Sequence, residues 1–121
     1  GGPVALHATR RVIRAYTSVR DLVDVSMGWL LREAHADVIV FDTGGDEPVE
    51  IGELAQRVLQ LMARVGIAVQ RPGLRGDSED RDDIYVGDGR VFRSMADRQG
   101  VALSDLQSQI VETIEYLAAV H

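Results

Sequence analysis

Arg14 sits between the apolar neighbours Ile13 and Ala15 in the stretch "RVIRAY", just ahead of a run patterned as an amphipathic helix. A guanidinium offers a planar fork of donors that matches the oxygens of a phosphate or a carboxylate. Two chemistries are therefore open to it: pairing with a local acid such as Asp21, or holding an external anion. Simple solvation is the third reading. No lysine occurs in the chain, so all 13 of its basic residues are arginines. More of them fall in "RPGLRGDSEDRDD" (Arg71–Asp83), which carries eight charges in thirteen residues and reads as a solvated loop. The Arg75–Asp77 tripeptide "RGD" lies inside it, but three common residues in a charged loop do not make an adhesion motif.

Other reactive residue types do not assemble. There is no cysteine, which excludes disulfides and thiolate metal sites, and His7, His35 and His121 are far apart with no ligand spacing. No Ser/His/Asp arrangement or phosphate-binding glycine loop appears, so no catalytic, cofactor-binding or metal-binding residue is assigned. "TGGDEP" has two glycines, yet it leads through Pro48 into a helix capped by Glu50. A plain turn, with glycine supplying positive φ, is the simpler reading there.

The elements that must position these residues are well punctuated. "PVALHA" (Pro3–Ala8) and Arg11–Tyr16 read as two short strands around a turn at Thr9–Arg10. Ser18 with Asp21 has the form of a capping box, followed by helical spacing to about Arg32. Asp37–Asp42, "DVIVFD", is a nearly continuous apolar run of the kind found in strands buried on both faces. A helix is expected where Ile51, Leu54, Ala55, Val58, Leu59, Met62 and Val65 make one stripe, ended by Gly66. Ile67–Gln70 is a further strand candidate, and "IYV" precedes Gly87. A helix is expected over Val91–Arg98, stopped by Gly100. A last one starts at Ser104 or Asp105, with Leu106, Ile110, Ile114 and Leu117 inward. The fold class is mixed α/β, with short strands and three or four helices in a single domain over residues 1–121. Trp29 and Tyr116 are expected to be packing residues.

Composition narrows the partners. Nineteen acidic against 13 basic residues disfavour nucleic acid. No apolar run reaches the ~18 residues needed to span a bilayer, and no charged-then-apolar leader opens the sequence. A cytoplasmic protein without membrane contact is expected. The chain begins at Gly1 without methionine, and a piece of a longer polypeptide is expected.

Three segments then resemble one family in its own order. Its strand pair reads g-x-P-x-x-h-h-G-x-G-x-x-x-R-D-Y-h-h-V-x-D-h, where h is apolar. Pro3 and Arg14 have that separation, and Tyr16, Val19 and Asp21 fall on the pattern. Its strand followed by G-x-G-E-P-h-S-I-x-E-L is similar to "FDTGGDEPVEIGEL" at Gly44, Glu47, Pro48, Ile51, Glu53 and Leu54. Its closing helix, L-x-E-G-I-x-x-T-h-E-Y, is similar to Leu106, Ile110, Thr113, Ile114, Glu115 and Tyr116. The chain thus resembles the C-terminal portion of extended short-chain dehydrogenases/reductases, the NAD-dependent epimerase/dehydratase group acting on nucleotide sugars. Departures are Ala8 and Arg10 for the hairpin glycines, Ala15 for an acid, Glu50 for a serine cap and Gln109 for a helix glycine.

The resemblance implies a substrate-binding lobe without its Rossmann core. The family's dinucleotide fingerprint and Tyr-x-x-x-Lys pair precede the strand pair and are not in this chain. NAD or NADP is implied for a parent enzyme, with none bound by this chain alone, which is expected to be inactive. The implied partners are a nucleotide-diphosphate sugar, an N-terminal Rossmann domain and, in the parent, a second copy. The implied substrate-binding residues are Arg14 and Arg75 on the diphosphate and Asp77 on a ribose hydroxyl, with Arg71 and Arg81 as rivals for the loop arginine. A stand-alone, non-catalytic binding or interaction module derived from that lobe is the alternative.

Overall fold

The computed structural model describes residues 10–32, 38–68 and 81–120. They form a mixed α/β fold with four helices and one three-stranded sheet. In chain order the elements are β1 (Val12–Ala15), α1 (Val19–Arg32), β2 (Pro48–Glu50), α2 (Ile51–Arg64), β3 (Asp83–Tyr85), α3 (Arg90–Gln99) and α4 (Leu106–Val120). No helix among the described residues is long and apolar enough to cross a membrane. The chain divides into two units. One comprises Gly1–Arg14, Pro48–Tyr85 and Ile110–His121; the other comprises Ala15–Glu47 and Val86–Gln109.

The first unit holds the sheet, in the order β2-β1-β3. β1 and β3 run parallel with Val12 opposite Asp83, Ile13 opposite Ile84 and Arg14 opposite Tyr85. The Asp83 amide donates to Arg11 O at 2.8 Å and opens that ladder. β2 passes directly into α2, and Val49 is buried at the junction. Glu50 caps α2 as its position suggested: one carboxylate oxygen accepts from the amides of Gly52 (2.8 Å) and Glu53 (3.1 Å). A carboxylate there satisfies two amides that have no intrahelical acceptor and faces the positive end of the helix dipole. Glu50→Ala should therefore cost about 1 kcal/mol, measured as a fall in urea midpoint, while Glu50→Ser should restore most of it. The far end of α2 closes at Gly66, with φ of 79°. Ile110 and Ile114 of α4 are buried, but Leu117 and Tyr116 are largely exposed, so neither packs inward as expected. Val65 also lies open, past the end of the stripe.

The second unit is built on α1 and α3. Val25, Phe92, Met95 and Ala96 form its buried core, with Leu22, Trp29, Phe41, Val101 and Leu103 packed around them. Phe41 and Phe92 stack with ring centroids 5.9 Å apart. α3 ends at Gly100 in the left-handed conformation, φ 69°, its amide donating back into the last turn. Trp29 is a packing residue, as its helical position implied.

Two sequence expectations fail here for physical reasons. Residues 38–42 are not a strand: Val38 and Val40 are about nine-tenths exposed (91% and 88%), while Phe41 packs on the core. Val38, Ile39 and Val40 are all exposed, so of these apolar residues only Phe41 packs on the core. The capping box of α1 is not made, because Asp21 directs both carboxylate oxygens to Ser104. The candidate strand Pro3–Ala8 and the turn residue Thr9 lie outside the described residues. Residues 67–68 of the Ile67–Gln70 candidate have no regular structure, and its other two residues are not described.

Candidate functional site

In the first unit the sequence-assigned residue that is described is Arg14. It lies on the central strand, where β3 brings an acid to it. Its guanidinium reaches Asp83 Oδ2 at 3.0 Å and donates through a second nitrogen to Asp83 O and Ile13 O, both at 2.8 Å. The acid partner is thus Asp83, not Asp21. Arg10 approaches the same carboxylate at 3.9 Å, and Arg11 meets Asp82 at 3.3 Å. Hydrogen bonding from Arg14 holds the Asp83 carboxyl below its ordinary range against desolvation, and the charges of Arg14 and Arg10 act in the same direction. Among the described residues, three arginines here face two aspartates. Arg14 and Asp83 are each about one-third exposed (31% and 34%), so the cluster is open to solvent on one side.

Arg75, Asp77 and Arg71 lie outside the described residues. Arg81 is described and exposed, two residues ahead of β3. Sequence reasoning missed Asp83, which was counted as part of a solvated loop. No local signal marked it, because the parallel pairing of β1 with β3 decides which acid reaches Arg14.

The second unit contains a cleft of about 220 Å³. Asp21 and Ser104 line it: the Ser104 amide donates to Asp21 Oδ2 at 2.7 Å and its hydroxyl to Oδ1 at 3.1 Å. Asp21 is 4% exposed, the only charged residue among those described that is buried. Arg93 pairs with Asp46 at 2.7 Å along the same wall. Asp105 caps α4 by accepting from the Ser108 amide at 2.7 Å, and that bond holds its carboxyl below the ordinary range. The helix therefore starts after Asp105, because Ser104 is engaged with Asp21.

The loop glycines of this cleft work by close approach. Neither Gly44 nor Gly45 has a positive φ, so the turn argument made from sequence is the wrong one. A Cβ on Gly45 would overlap the Tyr16 carbonyl, and one on Gly44 would lie 2.7 Å from Gly87 O. The Thr17 hydroxyl donates to Thr43 O and fastens the same crossing. These glycines let two pairs of backbone segments approach closely.

Among the described residues, no group of three His, Asp or Glu side chains could hold a metal ion. In the first unit the Arg14 guanidinium is engaged by Asp83 and the Ile13 carbonyl, with Arg10 and Arg11 adjoining. The second unit contributes a small cleft whose buried carboxylate, Asp21, is committed to Ser104. No protein-family model, curated protein or solved structure matches this chain.

Proposed function

We propose that the chain is the substrate-binding portion of an NAD(P)-dependent nucleotide-sugar epimerase, dehydratase or reductase, with Arg14 receiving the substrate diphosphate. The observation that carries this reading is the coincidence of the three family-like segments with three described elements. One falls on a strand bearing Arg14. The next falls on a strand-to-helix junction in which Glu50 performs the capping that serine performs in the family pattern. The third falls on the closing helix α4.

Two further features support it. Among the described residues, the arginines clustered on β1 outnumber the aspartates they face, and the cluster is partly open, as a diphosphate site requires. α1 also carries a second apolar face, with Val19, Val23, Met27, Leu30 and Leu31 from 47% to 78% exposed. A helix with apolar residues on both faces calls for cover on both, and the Rossmann domain of a parent enzyme supplies such a cover. In this reading the chain binds the sugar nucleotide, while hydride transfer belongs to the cofactor domain.

The first test is the coding sequence upstream of Gly1. A Gly-x-x-Gly-x-x-Gly fingerprint followed by Tyr-x-x-x-Lys is expected; their absence overturns the reading in favour of a stand-alone module. The second is Arg14→Ala in that longer protein. Losing a charge-assisted contact of roughly 1.5–3 kcal/mol should weaken substrate about ten- to a hundredfold, with cofactor affinity unchanged. Lysine should rescue only part, since it lacks the fork. Asp83→Asn is the control, because it breaks the ion pair while keeping the guanidinium. If both variants lose thermal stability and neither loses substrate affinity, Arg14 is a scaffold residue.

A further inference from the structure

A groove of about 400 Å³ runs along α3 in the second unit, apart from the Asp21 cleft, with the core residues Trp29 and Met95 in its wall. Its α3 wall is Val91, Ser94, Met95 and Arg98, which share one face at helical spacing. Trp29 of α1 and Ile39 of the irregular 38–42 segment line it as well. The apolar part is thus an indole, a thioether and two branched aliphatic side chains. The volume falls within the roughly 300–1,000 Å³ of small-molecule sites.

The charged rim is asymmetric. At one end Asp88 is neutralised by Arg90, whose Nε lies 2.9 Å and 3.0 Å from its two oxygens. That pairing lowers the Asp88 carboxyl to about 2, so it stays ionised and occupied at neutral pH. Arg98 has no acidic partner among the described residues and is exposed. Among the described residues that line the groove, two arginines stand against one aspartate, on a chain whose net charge is −6. Ser94 lies one turn from Arg98 on the same face, where its hydroxyl can donate to an anion that the guanidinium holds.

We propose that this groove binds a small planar aromatic carboxylate. The ring system lies against Trp29, Ile39, Val91 and Met95, where aromatic stacking and sulfur–aromatic contact reward a flat apolar body. The carboxylate meets Arg98 and Ser94, in the fork geometry that suits it. The arginine excess among the described lining residues, with Arg98 lacking an acidic partner among them, selects an anion over a neutral ligand of the same shape.

Trp29 is the only tryptophan of the chain, so its indole N–H gives one unambiguous peak in a proton–nitrogen correlation spectrum. The probe is 2-naphthoate, compared with the neutral 2-naphthalenemethanol. Naphthoate should move the Trp29 peak saturably, and the alcohol should bind about tenfold more weakly at low salt, the gap narrowing as salt is added. Arg98→Glu should weaken naphthoate by about tenfold or more and leave the alcohol unchanged, whereas Arg98→Lys should retain part of the preference. Because Arg98 is exposed, the rest of the spectrum should stay native in both variants and thereby verify the fold. Equal affinity for the two probes, an unmoved Trp29 peak, or naphthoate binding that survives Arg98→Glu would each overturn the assignment.

Discussion

Gly45→Ala should destabilise the protein by roughly 3 kcal/mol or more, lowering its melting temperature by roughly 10 °C. A Cβ at this position would overlap the backbone carbonyl of Tyr16. The obstacle is main chain, so no side-chain rotation relieves it; either the 42–47 loop or the segment after β1 has to move. That displacement would also disturb the bond from Thr17 to Thr43 O, which fastens the same two segments. Gly66→Ala is the comparison. Gly66 has positive φ, yet a Cβ there meets nothing within 4 Å. Its substitution should cost only about 1 kcal/mol of backbone strain. Denaturant melts of the two variants separate crowding from conformation. If Gly45→Ala melts like the parent chain, the Tyr16–Gly45 approach is not part of the native fold.

The same loop shows where reading the sequence succeeds and where it stops. The helices were legible because each is encoded locally: the stripe of α2, the acid at Glu50, and the glycines at 66 and 100 lie within a few residues of the ends they define. The reason for Gly45 was not legible, since the atom that excludes a side chain belongs to Tyr16, distant in sequence. "DVIVFD" failed for a related reason. Apolar content shows what a side chain would prefer, while burial depends on whether another element arrives to cover it. None of the described elements covers Val38 or Val40. The arginine of β1 was legible from its type and setting as a residue that pairs with a local acid or holds an external anion. Its resident partner was not, because the pairing of β1 with β3 joins positions about seventy residues apart, and no local pattern records that register.

Asp21→Ala should cost about 2–4 kcal/mol, read as a drop in unfolding free energy. From sequence this residue was both a helix-capping acid and a possible partner for Arg14; the fold gives it neither role. Its carboxylate is buried and accepts from the amide and the hydroxyl of Ser104. Alanine would leave both donors without that acceptor and open a small void beside the unit's core, so two penalties act together. Asp21→Asn keeps one acceptor oxygen but turns an amide group toward the other donor, and should lose about half as much. Ser104→Ala removes the hydroxyl while keeping the amide bond, and should cost about 1 kcal/mol. In the double variant Asp21→Ala/Ser104→Ala the hydroxyl is no longer stranded, so the combined loss should fall short of the two single losses added together by about 1 kcal/mol. Strict additivity would show that the two side chains act independently. A neutral Asp21→Ala would show that the carboxylate is solvated in solution and that Ser104 is positioned by the backbone alone.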